Sequence, residues 1–187
     1  MTTFILHGGY PNKPSQSNDD FYSEIVKRVP NNGKILFIYF ARSQDQWKNR
    51  LEKDIKNFRK TKTQKNFEFE VASPEINKLT DQITSSDCIY IRGGRNYTLK
   101  DILTKVDNFG KLIEGKIVIG SSFGAYILSK YFYGKSKDRI VEGLGILPIK
   151  VLCHYDSSKK NQLELLRAHG ENIPIKTIPE TEFIIIE

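Results

Sequence analysis

Lys116-Ile117-Val118-Ile119-Gly120-Ser121-Ser122-Phe123-Gly124-Ala125 joins an apolar, β-branched run to a glycine-flanked serine and then to a segment of helical composition. Three successive β-branched residues favour a strand covered on both faces, the condition of a parallel sheet between helices. Gly120-Ser121-Ser122-Phe123-Gly124 has the spacing G-x-S-x-G. In that arrangement the serine occupies a sharp strand-to-helix turn, the glycines clear crowded positions, and the hydroxyl stands above the sheet at a helix amino terminus. A plain Gly-Ser turn or a phosphate-binding loop is the alternative for the same residues.

On either side of this stretch the chain alternates apolar runs with amphipathic segments. Strands are expected over 3–6, 34–39, 67–71, 88–91, 117–119, 149–152, 175–177 and 183–186, and helices over 19–28, 44–60, 75–85, 99–113, 124–132 and 159–169. The alternation is that of βαβ units, so the expected fold class is α/β: a three-layer α/β/α arrangement with a doubly wound, mostly parallel sheet. No repeat, linker or composition shift divides residues 1–187, which are expected to form a single domain.

Such sheets bind ligands beyond the carboxyl ends of their strands. Three of those ends are glycine-rich: His7-Gly8-Gly9, Arg92-Gly93-Gly94-Arg95-Asn96, and the serine turn itself. They are expected to meet in one crevice.

Composition is that of a globular chain, with 39% hydrophobic and 27% charged residues among 187. No apolar run approaches the roughly 20 residues that span a bilayer, and Phe4-Ile5-Leu6 runs at once into His7-Gly8-Gly9, unlike a secretory leader. No membrane association and a cytoplasmic location are expected. Cys88 and Cys153 sit in apolar runs without ligand-spaced partners, which suggests small buried residues rather than a disulfide or a zinc site. The net charge of +7 is spread over 48–65, 100–116 and 130–137 on segments that read as helix exteriors, so no nucleic-acid partner is expected.

A serine hydroxyl needs a base within hydrogen-bond reach to act as a nucleophile. The chain has three histidines. His154 follows Ile149-Lys150-Val151-Leu152-Cys153 and so belongs at a strand's carboxyl end; His169 closes a basic helical stretch, and His7 lies in the first glycine loop. Ser122 with His154 is therefore the expected catalytic pair. A tetrahedral intermediate also needs two N–H donors. Phe123 supplies one, directly after the serine. Gly93 and Gly94 are the first candidates for the other, and Gly8-Gly9 is a rival because His-Gly-Gly after an early strand is similar to esterase oxyanion loops.

Together these motifs resemble the peptidase E and cyanophycinase family of serine peptidases, which has a flavodoxin-like, class I glutamine amidotransferase-like architecture. The likeness is carried by Gly93-Gly94-Arg95-Asn96, by Gly120-Ser121-Ser122-Phe123-Gly124-Ala125, by Gly143-Leu144-Gly145-Ile146-Leu147-Pro148 running on to His154-Tyr155, and by Ile178-Pro179-Glu180, in the family's order from about Ile35 onward. The resemblance implies hydrolysis of a small peptide through an acyl-enzyme, with Glu180 as the acid that orients His154. Asp138 and Glu142 are alternative acids. It implies no metal and no organic cofactor.

Two departures from the family pattern bear on substrate. Arg95 stands where the family has a third glycine, placing a cation, with Asn96, at the expected mouth of the site. The peptidase E branch cleaves dipeptides with an amino-terminal aspartate, which is read by an arginine after the catalytic histidine. Ser157-Ser158-Lys159-Lys160-Asn161-Gln162 has only lysine there, with Lys159 the expected substitute. Relatives also carry a further segment after the last strand, so that sheet edge is expected either to be exposed or to be covered by the second subunit of a homodimer. A non-catalytic binding or regulatory protein and a small-ester esterase are the competing functions.

Overall fold

The computed structural model describes residues 1–134 and 138–187. Lys135 and Lys137 of the basic 130–137 segment lie outside the described residues. The elements run β1 (Thr3–His7), α1 (Gln16–Arg28), β2 (Gly33–Ile38), α2 (Trp47–Lys60), β3 (Phe67–Val71), α3 (Ile76–Ser85), β4 (Cys88–Ile91), α4 (Thr98–Leu103), α5 (Phe109–Leu112), β5 (Ile117–Ser121), α6 (Phe123–Leu128), β6 (Ser129–Gly134), β7 (Arg139–Glu142), β8 (Leu147–Cys153), α7 (Lys160–Ala168), β9 (Ile175–Ile178) and β10 (Phe183–Ile186).

The strands form a six-stranded sheet in the order β10-β1-β5-β4-β2-β3, parallel except for β10 beside β1. A four-stranded sheet in the order β7-β6-β8-β9 is parallel except for β7 beside β6. The α/β class with mostly parallel strands is thus the fold, divided between two sheets rather than gathered in one.

Alternation along β2 shows how the layers form. Ile35, Phe37 and the following Tyr39 enter one apolar cluster with Phe21, Ile25 and Val26 of α1 and Phe58 of α2. Leu36, Ile38 and Phe40 enter another with Leu79 and Ile83 of α3, Leu99 and Leu103 of α4, and Ile127 of α6. Period-two side chains on strands buried on both faces give a core on each side of the sheet.

Two expected helices are corrected. The segment 124–132 is helical only through Leu128; Ser129 turns extended, and the aromatic run Tyr131-Phe132-Tyr133 pairs as β6 with β7 and β8. The segment 99–113 breaks into α4 and α5, with Asn108 at φ 53° between them, a left-handed conformation that asparagine tolerates. Strand β7 had no expected counterpart. Among the described residues no helix is long and apolar enough to cross a membrane.

Candidate active site

The three glycine-rich strand ends meet, as expected. Ser122 follows β5 and caps α6 with φ 53° and ψ −113°, a conformation costly for a residue with a Cβ. Its flanking glycines are required by contact: a Cβ on Gly120 would lie 2.8 Å from Ala125 N, and one on Gly124 2.1 Å from Ile91 O. The Ser122 amide donates to His7 O at 2.8 Å, tying the turn to the end of β1.

His154 directly follows β8, also at positive φ (55°). Its Nε2 lies 2.8 Å from Ser122 Oγ, and its Nδ1 lies 3.1 Å from Glu180 Oε1. With Nδ1–H donating to the carboxylate, Nε2 is the acceptor for the serine hydroxyl. The pair is open to solvent, with His154 29% and Glu180 45% exposed in their side chains. The other candidate acids sit elsewhere. Asp138 accepts from the Tyr133 hydroxyl in the second sheet, and exposed Glu142 offers its backbone carbonyl to Lys100 Nζ at 2.8 Å.

Gly93 packs directly on the serine turn: a Cβ there would fall 2.6 Å from Ser121 O and 2.9 Å from Ser122 Cβ. Its carbonyl accepts from Arg42 Nε at 3.0 Å. In a trans peptide the following N–H points opposite to that carbonyl, so the Arg42 bond fixes the direction of the Gly94 amide. Among the described residues no acceptor takes the amides of Gly93, Gly94 or Phe123. Gly8 and Gly9 differ, since Gly8 N donates to Glu182 O at 2.8 Å and Gly9 N to His7 Nδ1 at 3.0 Å. The rival oxyanion loop therefore has its donors engaged.

What Gly9 does provide is a flat wall. A Cβ on it would meet the His154 ring, 2.1 Å from Cε1. Behind this wall His7 is fully buried, its Nε2 2.8 Å from Asn18 Oδ1. Burial is the main cause that lowers its pKa to about 4, so His7 is neutral and structural. Tyr10, 58% exposed, lies T-shaped to the His154 ring at 5.5 Å between centroids. Neither Gly9 nor Tyr10 was a sequence candidate for a contact with His154; His-Gly-Gly before a tyrosine was the available signal.

Of the expected substrate residues, Arg95 and Asn96 lie on the loop after β4 and Lys159 lies shortly after β8. Arg95 is exposed, and its amide and that of Asn96 both donate to Ala41 O at 3.1 Å. The Asn96 carboxamide oxygen accepts from Thr98 N at 3.0 Å, at the start of α4. Lys159 Nζ reaches the carbonyls of Cys153 and His154. Cys88 and Cys153 are buried and unbridged. Among the described residues no group of three or more His, Cys, Asp or Glu side chains is placed to hold a metal ion.

Residues 4–187 match the family model described as Peptidase family S51. Two solved structures are similar over the whole chain. A candidate peptidase E protein from Listeria monocytogenes EGD-e is 20% identical, with a TM-score of 0.71 and 94% of that chain covered. A peptidase from an acI-B1 Actinobacterium is 18% identical, with a TM-score of 0.67 and 83% of that chain covered. At these identities the two structures speak for the fold. No curated protein sequence matches the chain.

Proposed function

This chain belongs to peptidase family S51 and is a serine-type peptidase, and from that premise we propose that it cleaves short peptides through an acyl-enzyme on Ser122. The observation that carries the proposal is the continuous line from Ser122 Oγ to His154 Nε2 at 2.8 Å and from His154 Nδ1 to Glu180 Oε1 at 3.1 Å.

In the proposed reaction Ser122 Oγ attacks the carbonyl carbon of the scissile bond and its proton passes to His154 Nε2. The negative charge that develops on the carbonyl oxygen is met by the amides of Phe123 and Gly94, with Gly93 leaving the approach clear. His154 then gives its proton to the departing amine nitrogen as the C–N bond breaks. Water enters next, loses a proton to His154, and attacks the ester carbon; the proton returns to Ser122 Oγ as the acid product leaves. Glu180 keeps the imidazole in the tautomer and orientation this sequence needs.

The specificity we propose is that of a dipeptidase. The Tyr10 ring lies T-shaped to His154, 5.5 Å between centroids, and in this reading bounds the side of the site that takes the leaving amine. The test is intact mass after exposure to a fluorophosphonate, followed by turnover of dipeptides with acidic and neutral amino-terminal residues. A single adduct on the wild type, absent in Ser122→Ala, is expected, with hydrolysis falling by roughly 10³-fold or more in that variant. Unchanged labelling or turnover in Ser122→Ala would remove the serine from the reaction.

A further inference from the structure

Cations that the sequence alone spreads over solvated helix faces are in part gathered on one cavity. It is an open surface cavity of about 390 Å³ lined by Arg42, Asp45, Gln46, Asn49, Arg50 and Lys53, of which only Arg42 and Arg50 are partly buried. Arg42 is also the residue whose Nε holds the Gly93 carbonyl, so one lining residue of the cavity is bonded to the loop that packs on Ser122.

The charges here are handled differently from those next door. Buried Arg92, which precedes Gly93, pairs with buried Asp54 at 3.0 Å. Among the described residues no ion pair joins Arg42, Arg50, Lys53 or Arg95 to Asp45 or to any other carboxylate. Half-buried Arg42 has its pKa lowered by burial first, then by the positive charges of Arg50, Arg92 and Arg95. Asp54 opposes that shift and Asp45 lines the same pocket, yet three cations against one lining carboxylate leave a positive excess, and an anion placed among them relieves their repulsion.

We propose that this cavity is an anion-binding site that takes a carboxylate or phosphate-type group, with Arg42, Arg50 and Lys53 as its cations. Arginine offers such a group a planar fork of donors and lysine a point charge, while the amides of Gln46 and Asn49 add neutral donors. The anion is either a group on the peptide substrate or a free ion. In both cases occupancy is felt at the reaction centre, because Arg42 touches the anion and the Gly93 carbonyl at once.

The experiment is calorimetric titration of inorganic phosphate at constant ionic strength into the wild type, into Arg50→Gln/Lys53→Gln, and into Lys48→Gln/Lys56→Gln. The last pair removes equal charge from exposed positions of α2 outside the cavity lining. One saturable site is expected in the wild type. It should weaken by at least about tenfold in the first variant and stay within about twofold in the second. The first variant should melt, without phosphate, no lower than the wild type, since repulsion has been removed. No saturable binding in the wild type, or equal weakening in both variants, overturns the proposal.

This binding test does not depend on the peptidase reading; the choice between sources does. Phosphate that raises KM for acidic dipeptides alone assigns the site to the substrate. Phosphate that changes kcat for neutral dipeptides assigns it to a free ion.

Discussion

Gly9 lies flat against the imidazole of His154, so closely that a Cβ on Gly9 would sit 2.1 Å from Cε1 and 2.7 Å from Nε2. Gly9 also adopts φ 130°, where side chains other than glycine's are strained. The obstacle to a methyl group is a ring able to swing away, and swinging away breaks its hydrogen bond to Ser122. Gly9→Ala is therefore expected to fold, with turnover reduced by roughly 10²-fold or more. The rate of fluorophosphonate labelling, set beside the melting temperature, checks this; near-normal labelling would mean the ring is held by something other than the glycine wall.

Glu180→Gln keeps the size of the side chain and removes the charge that favours Nδ1–H toward it. Because both partners are partly open to water, the loss in kcat should fall between about tenfold and 10³-fold, short of the effect of a fully buried acid. Stability should move by less than about 1 kcal/mol. Asp138→Asn and Glu142→Gln, which remove carboxylates placed away from His154, should leave turnover within about twofold. A parallel set of kcat values for the three variants separates these cases.

Removing Arg92 strands a carboxylate. Asp54 is fully buried, and besides Arg92 its Oδ2 accepts from the Tyr39 hydroxyl at 2.8 Å. Arg92→Met is expected to cost about 3–5 kcal/mol in urea unfolding, and adding Asp54→Leu should restore part of it. A single-variant loss below about 1 kcal/mol would show that the pair is far better solvated than its burial implies.

His7 gives stability a defined pH dependence. Its pKa of about 4 in the folded chain lies below the ordinary value of 6.5, with burial as the main cause. Between those two values the unfolded chain binds a proton that the folded chain refuses, so stability is intact above 6.5 and is lost as pH falls toward 4. The loss should reach roughly 3 kcal/mol. Urea unfolding at pH 7.5, 5.5 and 4.5 should show a steeper decline for the wild type than for His7→Asn. Parallel declines would place the acid sensitivity in other groups.

The division between what could be read in the chain and what could not follows the range of the interactions. The run Ile117-Val118-Ile119 and the glycines around Ser122 signal strand and turn through local sterics, and they appear as expected. Ser122, His154 and Glu180 could be nominated separately, because each sits at a strand end or in a motif. Segment 129–132 misled because aromatic residues after a helical start do not announce a strand without the partner strands that pair with it. Gly9 against His154 and Arg42 on Gly93 join residues far apart in the chain, and neither has a local pattern to betray it.

Three consecutive carbonyls organise the site: His7 O accepts from Ser122 N, Gly8 O from His154 N, and Gly9 O from Thr181 N, beside Glu180. None of these three residues contributes a side chain to the proposed chemistry on the acyl group. Yet on the ribosome this template is made before the residues it captures, and their backbone amides emerge in the order in which its carbonyls run. The proposed nucleophile can dock early; its proposed base arrives later, and the proposed acid last. A nascent chain thus carries Ser122 for some time without His154 and Glu180, and the hydrolytic competence proposed for the three waits until both partners have emerged.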